Sequence, residues 1–493
     1  MFFVAGLVKP AQHFVLIGIE RQVSERRQVE QRKIVGLFLR QLELFQHAWF
    51  AQSRQSRDNP LADWYVWADA KDDGNPPNNW LSIFGGSAWQ WDTRRRQYYL
   101  HNFLTSQPDL NFHNPEVKQA MLDNVRFWLD MGLDGFRLDL FHATFKDKQF
   151  RDNPFSLRYV PSIDTHEGFF QTRQHTANLP ETAAFAKELR ALADTYHPER
   201  LLIGEVFGKA NEIRQHLGEQ HDGLQQIFLF ELLRFRIDAG FFRNILRKFE
   251  HQYPAPFVPS YVYGNHDQRR SISRIGEDPQ KAKLLALFQL TVRGVPTIYY
   301  GEEIGMRDAA LPCATGLDPI ARQYKAVPRW LTDALGLYIN RDGCRTPMQW
   351  DASANAGFSK AGSKTWLPLN DNYRQVNVAA QLADPQSLLH GYKALLRVRR
   401  SERAILDGNL KLLDTDSNNK DLLAFVRQCA EEKILVLINF GPRTVRFNNS
   451  TGCTACLFST GSQLCETTQT IELAAFSGAI LSNQSERLAL PPN

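Results

Sequence analysis

The sequence is poor in cysteine and has no long apolar run. Six cysteines among 493 residues are too few for a disulfide-stabilised scaffold. No apolar stretch approaches the roughly 18 residues that a membrane-spanning helix needs, so we expect no membrane partner. The 58 basic and 53 acidic residues nearly balance, and the net charge of +5 argues against a nucleic-acid partner. The composition therefore indicates an ordinary globular chain.

Two of the cysteines, Cys453 and Cys456, have the CxxC spacing of some metal and redox sites. The second CxxC that such a zinc site needs is missing from the sequence, and the pair lies in a Thr/Ser-rich, strand-like stretch. The sequence favours a structural role for this pair over a metal or redox site. We expect neither a metal site nor an organic cofactor.

Residues 1–45 differ from the rest of the chain, since they contain no aspartate. Two short apolar segments, 13–19 and 34–39, each predict a buried strand. The polar stretch 21–33 between them predicts a helix without a clear apolar face. The segment is either one βα unit or a stretch unrelated to the fold of the remainder. No basic residue precedes its apolar start, so we expect no secretory signal and a cytoplasmic location.

Residues 46–113 are rich in turns and aromatic rings. Asn-Pro, Asp-Gly, Pro-Pro and Gly-Gly pairs predict loops rather than long elements. Six tryptophans fall in this range: Trp49, Trp64, Trp67, Trp80, Trp89 and Trp91. A long loop of this kind is usually functional, and the alternative is a small subdomain with its own core.

Strand and helix candidates alternate after this loop. A helix is predicted to follow Asn114, with Pro115 in its first turn, and to end at Gly132. Strand candidates cover 134–140, 200–207, 226–232, 261–267 and 294–303. The alternation predicts parallel strands joined by helical crossovers, hence an α/β sheet or barrel. From about residue 405, short strands separated by turn residues predict an all-β domain.

Carboxylates stand at the ends of three of these strand candidates. Asp139, Glu205 and Asp267 each end an apolar run, and Arg137 shares a strand face with Asp139 because side chains alternate. A helix cap or a salt bridge would explain any one of them. Three in one setting favour a barrel active site, since burying an unpaired carboxylate is costly. Two carboxylates that bracket a bond can catalyse glycoside hydrolysis.

Six short motifs occur along the chain: QPDLN (107–111), GFRLD (135–139), GEVF (204–207), GNHD (264–267), GVPTIYYGEEIGM (294–306) and GCRTPMQWD (343–351). Together they resemble the α-amylase family, glycoside hydrolase family 13, and its branch of α-glucosidases and oligo-1,6-glucosidases. The resemblance runs from about Gln46 to the C-terminus. It implies an α/β fold with a (β/α)8 TIM-type barrel over 114–404. An inserted loop subdomain would occupy 46–113, and a C-terminal β-sandwich domain 405–493.

The resemblance also implies the roles of the strand-end residues. Asp139 would be the nucleophile and Glu205 the general acid/base. Asp267 would bind sugar hydroxyls and help to distort the ring. Arg137 would hold Asp139 ionised and oriented, since a nearby cation favours a carboxylate.

Two further residues are assigned to the substrate by the same resemblance. His266 would donate a hydrogen bond to the sugar, and its alternative is a structural histidine. Arg345 would reach the sugar or Asp267, and its alternative is a loop-anchoring salt bridge. Glu302 and Glu303 also follow a strand candidate, but that region is mainly structural in the family, so they stay outside the catalytic set.

The chain departs from the family before Gln46. Family members carry a longer segment there, with the first barrel strands, a loop that often binds calcium, and a DxxxNH motif whose histidine binds the sugar. None of these is visible in residues 1–45, and His47 lies just after the place of that motif. We expect a barrel without its N-terminal strands, with exposed strand edges, that folds poorly or hydrolyses slowly. A frameshifted or truncated gene would explain this.

The predicted function is a retaining α-glucosidase that acts on a small oligosaccharide with terminal α-1,4 or α-1,6 bonds. Leu140, which follows the nucleophile, leaves the linkage open, because the family has Val there for α-1,6 and Ala or Thr for α-1,4. One alternative is a non-catalytic relative or remnant. Another is a transglycosylase or isomerase acting on sucrose or maltose with the same residues. The oligomeric state also stays open.

Overall fold

The computed structural model describes residues 15–16, 34–36, 47–159, 166–334, 338–414, 419–461, 466–467 and 470–484. Contacts divide these residues into two units. The first unit covers the described residues from 34 to 228, and the second combines 15–16 with the described residues from 229 to 484.

The strands of the described residues are short, and several have only two residues. In chain order they are β1 (Val15–Leu16), β2 (Ile34–Gly36), β3 (Trp67–Ala68), β4 (Trp89–Asp92), β5 (Gln97–Leu100), β6 (Gly135–Leu138), β7 (Glu167–Gly168), β8 (Gln171–Thr172), β9 (Leu201–Gly204), β10 (Gln226–Ile227), β11 (Ser260–Val262), β12 (Val295–Ile298), β13 (Asn409–Leu412), β14 (Leu422–Cys429), β15 (Glu432–Asn439), β16 (Val445–Asn448), β17 (Ala455–Ser459), β18 (Glu466–Thr467), β19 (Thr470–Leu473) and β20 (Ser477–Ser482).

Helices connect most of the strands before residue 405. They span Ala48–Ser53, Pro115–Asp130, Pro180–Ala193, Ala210–Leu217, Ala239–Gln252, Ser271–Arg274, Pro279–Thr291, Pro319–Gln323, Arg329–Ala334, Val378–Ala383, Leu388–Ser401 and Arg403–Leu406. This strand–helix alternation was predicted from the sequence and is confirmed.

A four-stranded parallel sheet forms the centre of the first unit. Its strand order is β10-β9-β6-β2, and helices cross over between β6 and β9 and between β9 and β10. The register pairs Leu138 of β6 with Gly204 of β9, and both strands end at this pair. Asp139 and Glu205 therefore leave the sheet side by side. The predicted strands 134–140 and 200–207 are too long, because these polar residues lie in the loops.

The helix Pro115–Asp130 begins and ends as its sequence predicts. The side chain of Asn114 accepts a hydrogen bond from the backbone N–H of Glu116 at 2.9 Å, and Pro115 occupies the first turn. The buried residues Val117, Met121, Val125 and Leu129 recur every four positions and form its apolar face. The chain turns away at Gly132, whose φ is +88°.

The aromatic segment 46–113 has a core of its own. Strands β3, β5 and β4 form an antiparallel sheet in that order. The rings of Trp80 and Trp89 stack with centroids 5.8 Å apart, and both are buried. The guanidinium of Arg95 lies 4.3 Å from the centroid of the Trp67 ring. These contacts are consistent with the subdomain considered for this segment, and the segment belongs to the first unit.

The second unit contains the parallel pair β11–β12, and β1 pairs with β12 in the antiparallel direction. The strands predicted over 261–267 and 294–303 are found as the shorter β11 and β12. The prediction over 226–232 is wrong beyond β10, because Glu231–Arg234 form a 3-10 helix. The strand predictions within 13–19 and 34–39 are met by β1 and β2. The helix predicted over 21–33 lies outside the described residues.

The C-terminal region is all-β, as predicted. One sheet has the order β13-β14-β15-β20-β17 and the other the order β16-β19-β18. A single apolar cluster joins them, with Leu422 and Leu437 from the first sheet and Phe447 and Ile471 from the second. The two sheets therefore pack face to face around one core.

We predict that Gly135→Ala destabilises the first unit, because a Cβ there would lie 2.0 Å from the carbonyl oxygen of Leu201 on β9. The expected loss is about 3 kcal/mol in the free energy of unfolding, measured by urea denaturation followed by tryptophan fluorescence. Gly132→Ala is the matched control, since it has positive φ but no neighbour within 4 Å. That control should lose only about 1 kcal/mol. Equal losses would contradict the close approach of β6 and β9.

Candidate active site

Three charged side chains meet at the carboxyl ends of β6 and β9. Arg137 donates from Nη1 to Oδ1 of Asp139 at 2.6 Å and from Nη2 to Oε2 of Glu205 at 2.7 Å. The three side chains are only 10%, 17% and 6% exposed, in that order. One guanidinium therefore binds two carboxyl groups that are largely shielded from water.

The backbone around these carboxylates is also specified. The N–H of Phe141 donates to the carbonyl of Glu205 at 3.0 Å, and the N–H of Glu205 donates to Leu138 at 2.8 Å. Leu140 has the left-handed φ of +41°, which is uncommon for a branched residue. Its N–H points to Oε2 of Glu205 at 3.4 Å. Strain of about 1–3 kcal/mol at Leu140 is thus accepted at the turn after β6.

A second charged group lies in the second unit, after β11. Oδ1 of Asp267 accepts from Nη2 of Arg345 and from Nη1 of Arg341, both at 2.7 Å. Nε of Arg345 donates to the backbone carbonyl of His266 at 2.6 Å. Nε2 of His266 lies 3.4 Å from Oδ2 of Asp267, whose side chain remains 33% exposed. Arg345 thus reaches Asp267, one of the two contacts expected for it.

Sequence reasoning missed Arg341, which contacts the same carboxylate oxygen as Arg345. Asp318 holds Arg341 in a bidentate pair, with distances of 2.8 Å to Nε and 2.7 Å to Nη2. Burial opposes the charge of Arg341, but its hydrogen bonds to Asp318 and the charge of Asp267 raise its pKa. The available signal was the first arginine of RDGCR, which lies four residues before Arg345.

The model of the α-amylase catalytic domain matches residues 45–408, which is more than half of the chain. The chain belongs to the α-amylase family. A probable α-glucosidase of Rhizobium meliloti is 40% identical over 407 residues, covering 80% of this chain and 70% of the relative. An oligo-1,6-glucosidase of Heyndrickxia coagulans is 35% identical over 434 residues, covering 82% and 75%. This places the chain in the α-glucosidase branch of the family.

Solved structures of the family also superpose on the chain. The crystal structure of an α-glucosyl transfer enzyme has a TM-score of 0.77 and 36% identity, and covers 89% of this chain and 80% of its own. The trehalulose synthase of Pseudomonas mesoacidophila MX-45 has a TM-score of 0.78 and 30% identity, and the match covers 92% of this chain and 83% of the synthase. The fold is therefore the TIM-type barrel of this glycoside hydrolase family, with a sheet-rich C-terminal domain.

Glu302, in the second unit, is a buried carboxylate with scaffold partners. It accepts from Oγ of Ser271 at 2.9 Å and from the N–H of Tyr299 at 3.1 Å. Burial raises the pKa of Glu302 to about 7, although both hydrogen bonds oppose the rise. These contacts anchor the start of a helix to the end of β12, so the residue has a structural explanation in this α-amylase relative.

The part of the chain that the structure describes holds no group of three His, Cys, Asp or Glu side chains arranged to bind a metal ion. Cys453 is buried, with Sγ donating to the carbonyl of Lys433 at 3.4 Å, whereas Cys456 is exposed. Burial raises the pKa of the Cys453 thiol. Within the same described ranges, no helix combines the length and apolarity needed to cross a bilayer.

We predict that Arg137→Leu destabilises the protein more than Arg137→Lys does. Removing one partner of a buried ion pair costs about 3–5 kcal/mol, and here two carboxylates lose their shared cation. Urea denaturation followed by tryptophan fluorescence measures the loss. Arg137→Lys, which keeps the charge, should lose less, and equal losses in the two variants would contradict the shared-cation geometry.

Proposed function

We propose that the protein is a retaining α-glucosidase that hydrolyses terminal α-1,4 or α-1,6 glucosidic bonds of short oligosaccharides. The observation that carries the proposal is the guanidinium of Arg137 bound to both Asp139 and Glu205. Retention needs two carboxyl groups about 5–5.5 Å apart, one to attack the sugar and one to donate a proton. Carboxylates that share one guanidinium are held close together, as this chemistry requires.

In the proposed first step, Asp139 attacks the anomeric carbon while Glu205 gives its proton to the departing glycosidic oxygen. Arg137 binds Oδ1 of Asp139, so the attack would come from Oδ2. In the second step Glu205 takes a proton from water, which displaces Asp139 and releases the sugar with retained configuration. Two carboxyl groups suffice for both steps, so the proposal includes no organic cofactor.

The proposed role of Asp267 is to hold sugar hydroxyls and favour a distorted ring. Its partial exposure leaves it accessible to a ligand, while Arg341 and Arg345 fix one of its oxygens. His266 lies beside the other oxygen and could donate to the sugar from the same edge. Asp318 orients Arg341. The proposed substrate-binding set therefore includes Arg341 in addition to the residues named from the sequence.

Transfer or isomerisation is a second candidate function. It is supported by the solved structures of an α-glucosyl transfer enzyme and a trehalulose synthase, which match this chain at 36% and 30% identity. The first step is common to all three reactions, and only the acceptor differs: water, a second sugar, or the released sugar itself. Product analysis with maltose, isomaltose and sucrose distinguishes them, since only hydrolysis gives free monosaccharides alone.

We predict that Asp139→Asn and Glu205→Gln each lower maltose and isomaltose turnover by about 1,000-fold or more, because each removes an essential proton donor or nucleophile. Glucose release measures the loss, and proton NMR of the wild-type reaction should show the α-anomer of glucose first. Asp123→Asn, on the surface of the helix Pro115–Asp130, is the control and should retain activity. A fully active Asp139→Asn would refute the proposal.

A further inference from the structure

Asn178 takes part in three hydrogen bonds, although sequence analysis gave it no role. Its backbone N–H donates to the carbonyl of His142 at 2.8 Å. Its side-chain Nδ2 donates to the carbonyl of Phe207 at 2.9 Å. Its Oδ1 lies 3.0 Å from Nε2 of His216. The residue has a φ of +53°, a left-handed conformation that asparagine tolerates better than most residues.

These contacts join the two loops that carry the catalytic carboxylates of the proposed mechanism. His142 lies three residues after Asp139, and Phe207 lies two residues after Glu205. Asn178 itself comes from a third segment, just before the helix Pro180–Ala193. One residue therefore connects the β6 loop to the β9 loop through its own backbone and side chain.

His142 strengthens the connection from the other side. Its ring contacts the backbone of Glu205 and lies edge-on to the ring of Phe207, with centroids 5.2 Å apart. Burial lowers the pKa of His142 to about 3 and that of His216 to about 4. Both rings are therefore neutral at ordinary pH, and the ring of His216 is held by its hydrogen bond to Asn178.

The side-chain amide of Asn178 has a fixed orientation and is closely packed. Because Nδ2 donates to Phe207, Oδ1 is the acceptor and Nε2 of His216 carries the proton. A Cβ on Gly208 would lie 2.8 Å from Nδ2 of Asn178 and 2.7 Å from Oε2 of Glu212. The β9 loop is therefore packed directly against the amide, without room for a side chain between them.

We propose that Asn178 is a positioning residue for Glu205, acting through Phe207 and through the backbone of His142. It would keep the carboxyl of Glu205 at the distance from Asp139 at which it can protonate a departing sugar oxygen. The inference rests on the proposed function, because it assumes that Glu205 is the general acid/base.

A positioning role is separable from a purely structural one by the basicity of the leaving group. A sugar alkoxide is a strong base and needs a proton as it departs, whereas fluoride leaves without one. A misplacement of about 1 Å at a reacting group can cost about a hundredfold in rate. A displaced Glu205 should therefore slow the cleavage of disaccharides far more than that of α-glucosyl fluoride.

The test compares kcat/KM for maltose, isomaltose and α-glucosyl fluoride in Asn178→Gly and Asn178→Asp. Glycine keeps the left-handed backbone and removes only the side chain. Aspartate keeps an acceptor for His216 but loses the donor to Phe207. For both variants we expect the disaccharide values to fall about a hundredfold and the fluoride value by no more than about threefold. If Asn178→Gly unfolds in a thermal scan, the nearly isosteric Asn178→Asp carries the test.

Two parallel variants separate the possible failures. His221→Gly replaces another left-handed residue of the first unit, with φ of +58°, and should leave all three values unchanged. Glu205→Gln should show the same leaving-group dependence as Asn178→Gly, only larger. If Glu205→Gln lacks that dependence, the proposed function fails. If Glu205→Gln shows that dependence while the Asn178 variants lose kcat/KM equally for all three substrates, or for none of them, Asn178 does not position Glu205.

Discussion

The interaction on which the rest of the first unit depends is the sharing of one guanidinium by two carboxylates. Burying two carboxyl groups side by side is costly, and the guanidinium of Arg137 bridges Asp139 and Glu205. This bridge requires β6 and β9 to be parallel neighbours that end at the same level, which the pairing of Leu138 with Gly204 provides. The left-handed turn at Leu140 then directs the chain past Glu205 rather than onward as a strand.

The second unit also contains a partly buried carboxylate that is bound by arginine, but in a different arrangement. Asp267 receives two guanidinium groups on one oxygen, from Arg341 and Arg345, and Asp318 balances the additional positive charge. The two clusters follow the parallel strands β6, β9 and β11. Partly buried carboxyl groups that are bound by fixed arginines keep their orientation, which the proposed sugar chemistry needs.

Much of the framework was accessible from the sequence, because the determining signals are local. The helix after Asn114 follows from its cap, its proline and its apolar spacing, and the structure has each of them. Strand positions were also predictable, but their lengths were overestimated. Glu231, for example, belongs to an apolar run that predicts a strand. Its backbone instead forms a 3-10 helix, which begins after the chain has left β10. The local sequence pattern carries no information about the partner strand, and the partner strand decides where the hydrogen-bonded pairing ends.

The sequence by itself determined which chemistry is present: carboxylates at three strand ends, Arg137 two residues before Asp139, and the motifs of the α-amylase family. Only the tertiary structure decided which atoms meet. The contact of Arg137 with Glu205 spans 68 positions, and that of Arg341 with Asp267 spans 74. The role of Asn178 could not be predicted from the sequence, where it is a single asparagine before a helix. Its role depends on loops that approach it from two other strands, and the packing of parallel strands, rather than any local preference, brings such distant segments together.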